Sequence, residues 1–243
     1  PEEYMRRWTS ANMRWRPNVP DIGWVRERAG REYAGYHAML ANLDHNIGRV
    51  LAALDRLGQA FDTEILFFSD HGDMLGSHGQ FRKMSPLEES IRIPFLYHTR
   101  DLYGQQRRGN PYRCLNHVDI APTTLGLCGV EVPSWMEGAD HAGFLNKNHE
   151  RKELPTSAYL QSVIPTMHGD SIDRPWRGVV TDDRWKYVCL EGQPWLLFDL
   201  NTDPYEQVNL AHNVVHKHHR QRLHGILEEW IRKTDDSFAL PKL

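Results

Sequence analysis

The sequence ILFFSDHG at residues 65–72 joins an apolar run to a short polar segment. An apolar run without polar alternation is typical of a strand covered on both faces in a parallel sheet. Polar groups just beyond the C-terminal ends of such strands face the crevice where ligands bind. Asp70 and His71 occupy that position, and Gly72 permits the backbone turn that lets both side chains face one ion. The segment therefore predicts half of a metal site, with a solvated turn as the alternative.

The patterns on either side of this segment predict an α/β fold. Apolar residues recur every three or four positions from Tyr33 onward and predict a helix that ends at Gly58. Residues 1–30 show no such period and are expected to form an irregular arm. A second buried strand is predicted at residues 93–97, and a further helix near Asp119. The inward positions predicted for the first helix are Tyr33, Tyr36, Leu40, Leu43, Ile47, Val50, Leu54 and Leu57.

The C-terminal part of the chain has a different pattern. Short β-rich runs joined by turn sequences predict a meander of antiparallel hairpins. They occupy residues 178–181, 185–189 and 195–200. A terminal amphipathic helix is predicted from about Val214. The expected domains are an arm over residues 1–30, an α/β domain over 31–150 and a C-terminal subdomain over 151–243.

The loop after the first strand is the most informative part of the sequence. It contains DHGDMLGSHGQFRK at residues 70–83 and EESIRIPF at residues 88–95. Placing so many glycines, histidines and charges between two buried strands costs stability unless the loop has a function. The segment closely resembles the sulfatase family of the alkaline-phosphatase-like superfamily. Members of that family carry a strand, S-D-H/N-G, a Gly- and His-rich loop, a lysine, and an R-I/V-P-F strand.

Further motifs extend the resemblance over most of the chain. They are NLD and IGR at residues 42–49, HVDIAPTT at 117–124, WKYV at 185–188, and LFDL with DP, E and NL at 197–210. Several motifs in the family's order are far more specific than any one of them. The resemblance implies part of an alkaline-phosphatase-like sandwich with a mostly parallel sheet. A small C-terminal subdomain of antiparallel strands and a helix would follow it.

The resemblance also implies an activity, hydrolysis of a sulfuric ester, and roles for particular residues. Asp70 and His71 would ligate the divalent cation of the active site, and Lys83 would contact the sulfate oxygens as a catalytic and substrate-binding residue. A cation and an ammonium group in a dry cleft would stabilise the charge on the transferring sulfate. His78 is expected to contact substrate, to support a ligand or, as the favoured role, to brace the loop.

The metal itself follows less directly from the sequence. The resemblance implies Ca²⁺, which prefers oxygen ligands, whereas a histidine ligand is also compatible with Mn²⁺ or Zn²⁺. The family's formylglycine nucleophile comes from a Cys or Ser in C/S-x-P-x-R, and no Cys or Ser of this chain lies in that context. The resemblance also implies that the first metal carboxylates come from an Asp-Asp pair at an N-terminal strand. The pairs Asp182-Asp183 and Asp235-Asp236 are better interpreted as solvated turns than as that pair.

These missing motifs predict that the chain is the C-terminal portion of a sulfatase. Formylglycine is then expected only in the missing N-terminal part of the same protein, which is also the first expected partner. Alone, the chain should be inactive, bind metal weakly and expose a sheet edge and apolar surface. Because this surface is exposed, self-association into a homo-oligomer is a further alternative.

Composition excludes several other classes of function. The chain has 243 residues with 29 Lys and Arg against 32 Asp and Glu, and its net charge of −3 argues against nucleic-acid binding. Its apolar runs fall short of the roughly 18 residues that a membrane span needs. The three cysteines indicate neither a disulfide framework nor a zinc ribbon. No signal peptide is found, so the sequence gives no localisation.

The substrate is expected to be a sulfated small molecule or glycan. Two other functions remain as alternatives. One is a phosphate or phosphonate monoester hydrolase of the same superfamily, in which Asp and His also bind metal. The other is a non-catalytic binding module descended from a sulfatase.

Overall fold

Six helices and six strands organise the part of the chain that the computed structural model describes, residues 1–99, 113–163 and 174–243. The helices are α1 (Glu2–Met5), α2 (Gly23–Arg56), α3 (Glu88–Ile91), α4 (His117–Leu127), α5 (Ala142–Leu145) and α6 (Lys217–Lys233). The strands are β1 (Ile65–Phe68), β2 (Phe95–His98), β3 (Ser157–Ser162), β4 (Trp176–Thr181), β5 (Trp185–Leu190) and β6 (Gln193–Asp199). Within the described residues, none of the helices combines the length and apolar character needed to cross a membrane.

The chain forms two units. The first comprises Pro1–Lys83 and Arg92–Arg107, and the second comprises Met84–Ile91 and Arg108–Leu243. The first therefore contains α1, α2, β1 and β2, and the second contains the other elements. The predicted domain limits at residues 30 and 150 remain a prediction.

The long helix α2 begins at Gly23, ten residues before the predicted start. Val25, Ala29 and Tyr33 are spaced four residues apart, and all three are buried. They form one core with Leu75 and Phe81 from the loop after β1. The expectation of an irregular arm over residues 1–30 is therefore wrong for residues 23–30, which belong to α2 and bury Val25 and Ala29.

The C-terminal half of α2 presents its apolar residues to solvent. Leu40, Leu43 and Val50 are 41%, 42% and 60% exposed, although the sequence pattern predicts that they face inward. Tyr36 and Leu57 are exposed as well. The period of three to four residues correctly predicts a helix, but it does not show what covers the apolar face.

Strands β1 and β2 form a two-stranded antiparallel sheet, with Ile65 opposite His98 and Phe68 opposite Phe95. The prediction that β1 lies in a parallel arrangement covered on both faces is wrong for this pair, since every residue of both strands is at least partly exposed. An unbroken apolar run cannot by itself distinguish the two arrangements. The second strand, predicted at residues 93–97, is found as β2 at Phe95–His98, directly after Pro94.

The second unit is built on the antiparallel sheet β3-β4-β5-β6. Helix α6 places Leu223 and Leu227 in one core with Tyr187 and Leu197 of the sheet. The predicted hairpins and terminal helix are confirmed, and with them the α/β class. Helix α6 begins at Lys217, after a 3₁₀ turn at Val214–His216.

The two Asp pairs are not simply solvated turns. Asp236 accepts a hydrogen bond from the Tyr159 hydroxyl at 2.7 Å and accepts two more from the Nε and Nη2 groups of the Arg177 guanidinium. The Arg177 guanidinium lowers the pKa of Asp236 to about 2. Asp182 accepts hydrogen bonds from Arg113 and from the Cys114 backbone N–H, both at 2.8 Å. These carboxylates tie loops and the C-terminal tail to the sheet.

A buried ion cluster joins two of the sequence motifs in the second unit. The Lys186 ammonium of β5 has no exposed side-chain surface, lies 3.0 Å from Glu88 Oε1 and pairs with Glu206. The Glu88 backbone N–H donates to Glu206 Oε2 at 2.7 Å. The lysine of WKYV and the glutamate of the DP-E motif are thus in contact in the fold, and the carboxylates of Glu206 and Glu88 compensate the buried charge of Lys186.

This cluster predicts a pH-dependent stability that Glu206→Gln removes. Burial raises the pKa of Glu206 to about 7 from its ordinary 4.5, against the opposing effect of Lys186. The folded state therefore holds this proton more tightly than the unfolded chain. Stability from this group is complete below about pH 4.5 and is lost as pH rises through about 7.

Urea unfolding across that pH window tests the prediction. Glu206→Gln should gain stability relative to the wild type as the pH rises, and the gain should level off above about pH 7. Lys186, Glu88 and the neighbouring Cys114 remain in both proteins. For the exposed control Glu191→Gln, the difference in unfolding free energy from the wild type should stay constant across this pH range. A constant difference for Glu206→Gln would contradict the assignment.

Candidate functional site

The candidate site begins at the turn that follows β1. Asp70 is 84% exposed at its side chain, and its Oδ1 accepts the His71 backbone N–H at 2.9 Å. That hydrogen bond lowers the pKa of Asp70, which keeps its carboxyl group ionised. The other oxygen, Oδ2, lies 3.4 Å from His71 Nε2. The turn thus brings a carboxylate and an imidazole nitrogen onto the same side, as the sequence predicts.

His71 has a defined tautomer. Its Nδ1 lies 2.7 Å from the carbonyl oxygen of Gly72. A carbonyl only accepts hydrogen bonds, so Nδ1 carries the proton and Nε2 keeps a free lone pair. A ring N–H donated to a backbone carbonyl is the arrangement that orients metal-binding histidines. Ser69 supports the same turn, because its hydroxyl donates to the His71 carbonyl at 2.8 Å.

Lys83 joins these two side chains from the far end of the loop. Its Nζ lies 2.8 Å from His71 Nε2 and donates to the lone pair. The structure therefore brings Asp70, His71 and Lys83 together, although Lys83 is twelve residues beyond His71 in the chain. A positively charged donor stands directly at the imidazole nitrogen that a cation would bind.

The loop between His71 and Lys83 is closed by its own backbone. Met74 N–H donates to the Arg82 carbonyl, and Gly76 N–H to the Gln80 carbonyl, both at 2.8 Å. Met74, Leu75 and Phe81 are buried and anchor the loop. Several residues adopt left-handed φ values that side chains disfavour, and their cost of about 1–3 kcal/mol each is tolerated only in a well-fixed backbone. They are Leu75, His78 and Arg82, with φ of 47°, 55° and 68°.

His78 lies on this loop but contacts a different part of the unit. Its backbone N–H donates to the Asn18 carbonyl at 2.7 Å, and its Nε2 lies 3.1 Å from Asn18 Nδ2. The ring nitrogen is thereby engaged with the N-terminal segment, which is the geometry of a brace. A role for His78 in substrate binding stays a prediction. Sequence reasoning missed Asn18, because no motif connects two residues sixty positions apart.

The donor set at the turn fits a divalent cation in part. A carboxylate and an imidazole whose Nε2 carries no proton are both metal ligands, and the Lys83 ammonium at that nitrogen shows that a positive charge is accommodated there. In the described ranges, no cluster of three or more His, Cys, Asp or Glu side chains has the geometry to hold a metal. Two ligands from one turn leave most of a cation's coordination to other groups.

Two models of protein families match the sequence. The model described as Sulfatase matches residues 1–130, and the model described as N-sulphoglucosamine sulphohydrolase, C-terminal, matches residues 76–233. The first matched range contains the whole loop that joins His71 to Lys83, and the second begins within that loop, at residue 76.

Curated proteins and solved structures show the same similarity. The chain is 32% identical to the ulvan-active sulfatase of Formosa agariphila over 86% of this chain and 40% of that protein. It is 30% identical to the N-acetylglucosamine-6-O-sulfatase of Bacteroides thetaiotaomicron over 89% of this chain and 38% of that protein. The structure of BT4656 with its substrate D-glucosamine-2-N,6-O-disulfate superposes with a TM-score of 0.74 at 25% identity, covering 90% of this chain and 44% of that one. The chain thus spans about two fifths of the length of these curated relatives.

Gly76→Ala tests whether the loop depends on its close approach to α2. A Cβ at Gly76 would lie 2.8 Å from Ala29 Cβ, and φ is +92°. We expect the free energy of unfolding of this unit to fall by about 1–3 kcal/mol, from strain and overpacking. Gly35→Ala in α2 is the matched control, because a Cβ there meets nothing within 4 Å. The control should gain about 0.4–1 kcal/mol. Equal effects in thermal unfolding would contradict the packing of the loop on α2.

Proposed function

Because this chain belongs to the sulfatase family, with the alkaline-phosphatase-like fold, we propose that it forms part of a sulfuric ester hydrolase whose substrate binds at Lys83. The observation that carries this proposal is the contact of 2.8 Å between Lys83 Nζ and His71 Nε2. It sets a positive charge beside two groups that bind cations. A site of that composition favours the binding of a strongly anionic ester over that of a neutral substrate.

Lys83 is the group of this chain that would meet the sulfate. A sulfate ester spreads its negative charge over three oxygens, and a compact ammonium makes a point contact with one or two of them. The loop restricts where that ammonium lies, because both ends of the loop are fixed by buried side chains and backbone hydrogen bonds. Once the ammonium contacts the bound ester, its positive charge is in place before the ester bond breaks and needs no further reorganisation.

Asp70 and His71 would provide two ligands to a divalent cation through Oδ2 and Nε2. When bound, such a cation polarises the ester and neutralises charge on the transferring group. The Lys83 ammonium would then turn from His71 Nε2 toward the sulfate, which its long side chain allows. Ca²⁺ is the family expectation, and the imidazole ligand keeps Mn²⁺ and Zn²⁺ as alternatives.

The substrate class that we propose is a sulfated glycan or smaller sulfated sugar. BT4656 was solved with a disulfated glucosamine, and the Formosa agariphila protein acts on ulvan according to its name. A sulfated small molecule without a sugar would use the same anion contacts. A phosphate or phosphonate monoester is the rival, since its oxygens would suit Lys83 equally well.

We propose that further sulfatase-fold polypeptide completes the site and is the first partner of this chain. Three observations support that view. The relatives are more than twice as long, the turn supplies only two metal ligands, and the apolar face at Leu40, Leu43 and Val50 is exposed. Without that cover the same face would favour self-association. The formylglycine nucleophile would also belong to that polypeptide, so this chain alone is expected to be inactive.

Lys83→Ala tests the proposed function in the complete enzyme that carries this chain. Loss of a preorganised positive contact should lower kcat/KM for 4-nitrophenyl sulfate by about 10²–10³-fold. Lys217→Ala, at an exposed position of α6, is the control and should retain wild-type rates. A larger rate on 4-nitrophenyl phosphate than on the sulfate would favour the rival hydrolase. Wild-type rates in Lys83→Ala would contradict the assigned role, and a complete enzyme without either activity would support a binding module.

A further inference from the structure

The tip of the loop between His71 and Lys83 is held by a residue to which the proposed function gives no role. His78 lies at this tip, with its backbone in the left-handed region at a φ of 55°. Its backbone N–H donates to the Asn18 carbonyl at 2.7 Å, and its Nε2 lies 3.1 Å from Asn18 Nδ2. An amide nitrogen only donates, so His78 Nε2 accepts this hydrogen bond. These two contacts form the Asn18–His78 clamp.

The clamp is attached to a fixed part of the unit. Asn18 is 7% exposed and the next residue, Val19, is 3% exposed. Arg26 of α2 donates from Nη2 to the Val19 carbonyl at 3.0 Å and from Nε to the Pro20 carbonyl at 3.1 Å. The segment that carries Asn18 is therefore held on α2 by a buried side chain and two hydrogen bonds.

Backbone hydrogen bonds connect the tip of the loop to its end at Lys83. Gly76 N–H donates to the Gln80 carbonyl at 2.8 Å. Met74 N–H donates to the Arg82 carbonyl, also at 2.8 Å. These bonds are two successive rungs of a hairpin, with the clamp at its turn and Lys83 directly after its last rung. A displacement of the tip is thus transmitted toward Lys83.

Apolar packing alone does not fix the register of this hairpin. Leu75 and Phe81 are buried against α2, but apolar contacts are non-directional. Hydrogen bonds weaken steeply when their angle or distance changes. The contact of 2.8 Å between Lys83 Nζ and His71 Nε2 is itself of this directional kind. It therefore requires a loop whose backbone is held by directional contacts, and the clamp provides them.

We propose that Asn18 is a positioning residue whose side-chain amide, acting through His78, holds the loop so that the Lys83 ammonium lies at the sulfate site. The inference rests on the proposed function, in which that ammonium contacts the sulfate. Asn18 does not touch the substrate in this scheme. It limits the positions open to Lys83, and small displacements of a group that contacts the reacting atoms lower the rate.

The first test is long-range ¹H–¹⁵N NMR of the His71 imidazole in the chain without ligand. Asn18→Ala should lower the ratio of formed to broken Lys83–His71 contact about two- to tenfold, the range of one neutral hydrogen bond. Lys83→Ala gives the Nε2 resonance of a fully broken contact. A lower melting temperature of Asn18→Ala with an unchanged contact ratio would show a purely structural role and overturn the inference.

Three further variants separate positioning from a general loss of stability. His78→Ala should lower the contact ratio as much as Asn18→Ala, and the double variant should lower it no further, because both remove the same hydrogen bond. Asn18→Asp should retain part of the contact, since a carboxylate accepts from His78 Nε2 when the ring proton lies there. Asn46→Ala is the matched control, since this amide donates to the Asn42 carbonyl of α2 at 2.8 Å, and it should keep the wild-type ratio.

Kinetics of the complete enzyme that carries this chain separate the inference from the proposed function. Asn18→Ala should lower kcat/KM for 4-nitrophenyl sulfate about two- to tenfold, and it should have no further effect in a Lys83→Ala background. An unchanged contact ratio or an unchanged rate in Asn18→Ala overturns the role of Asn18 while the Lys83 site stands. Wild-type rates in Lys83→Ala overturn the proposed function, and with it the catalytic consequence of the clamp.

Discussion

The contact between the Lys83 ammonium and the His71 imidazole is the interaction on which the candidate site depends. It holds only if His71 carries its proton on Nδ1, and the Gly72 carbonyl imposes that tautomer. It also requires a loop that returns the chain to the end of β1 after twelve residues. The same lone pair is what a cation would use. The same tautomer of His71 therefore allows Nε2 to bind a cation or to accept a hydrogen bond from the Lys83 ammonium.

The loop achieves this return through packing more than through regular structure. Leu75 and Phe81 enter the core formed with α2, and Gly76 permits a close approach to Ala29. Left-handed φ values at non-glycine positions cost free energy, and this packing compensates for that cost. The second unit uses a comparable strategy, in which Lys186 is buried with two carboxylates that fix a short helix and a turn. In both units, charged groups are held by the folding of loops onto a scaffold.

Much of the fold and of the candidate site could be predicted from the sequence, because short local patterns determine those features. The strand before Asp70, the hairpins, the terminal helix and the placing of Asp70, His71 and Lys83 at one site all follow from short motifs. The missed features depend on contacts between distant residues. The antiparallel pairing of β1, the helical start at Gly23 and the exposed face of α2 are set by tertiary packing, which a single apolar run does not encode.

The most direct test of this account is long-range ¹H–¹⁵N NMR of the His71 imidazole during titration with Ca²⁺, Mn²⁺ and Zn²⁺. We expect a ring proton on Nδ1 and an Nε2 resonance that responds to at least one of these cations. Asp70→Asn should weaken that response, whereas Asp44→Asn on the exposed side of α2 should not. A ring protonated on Nε2, or an Nε2 resonance that none of the three cations perturbs, would contradict it.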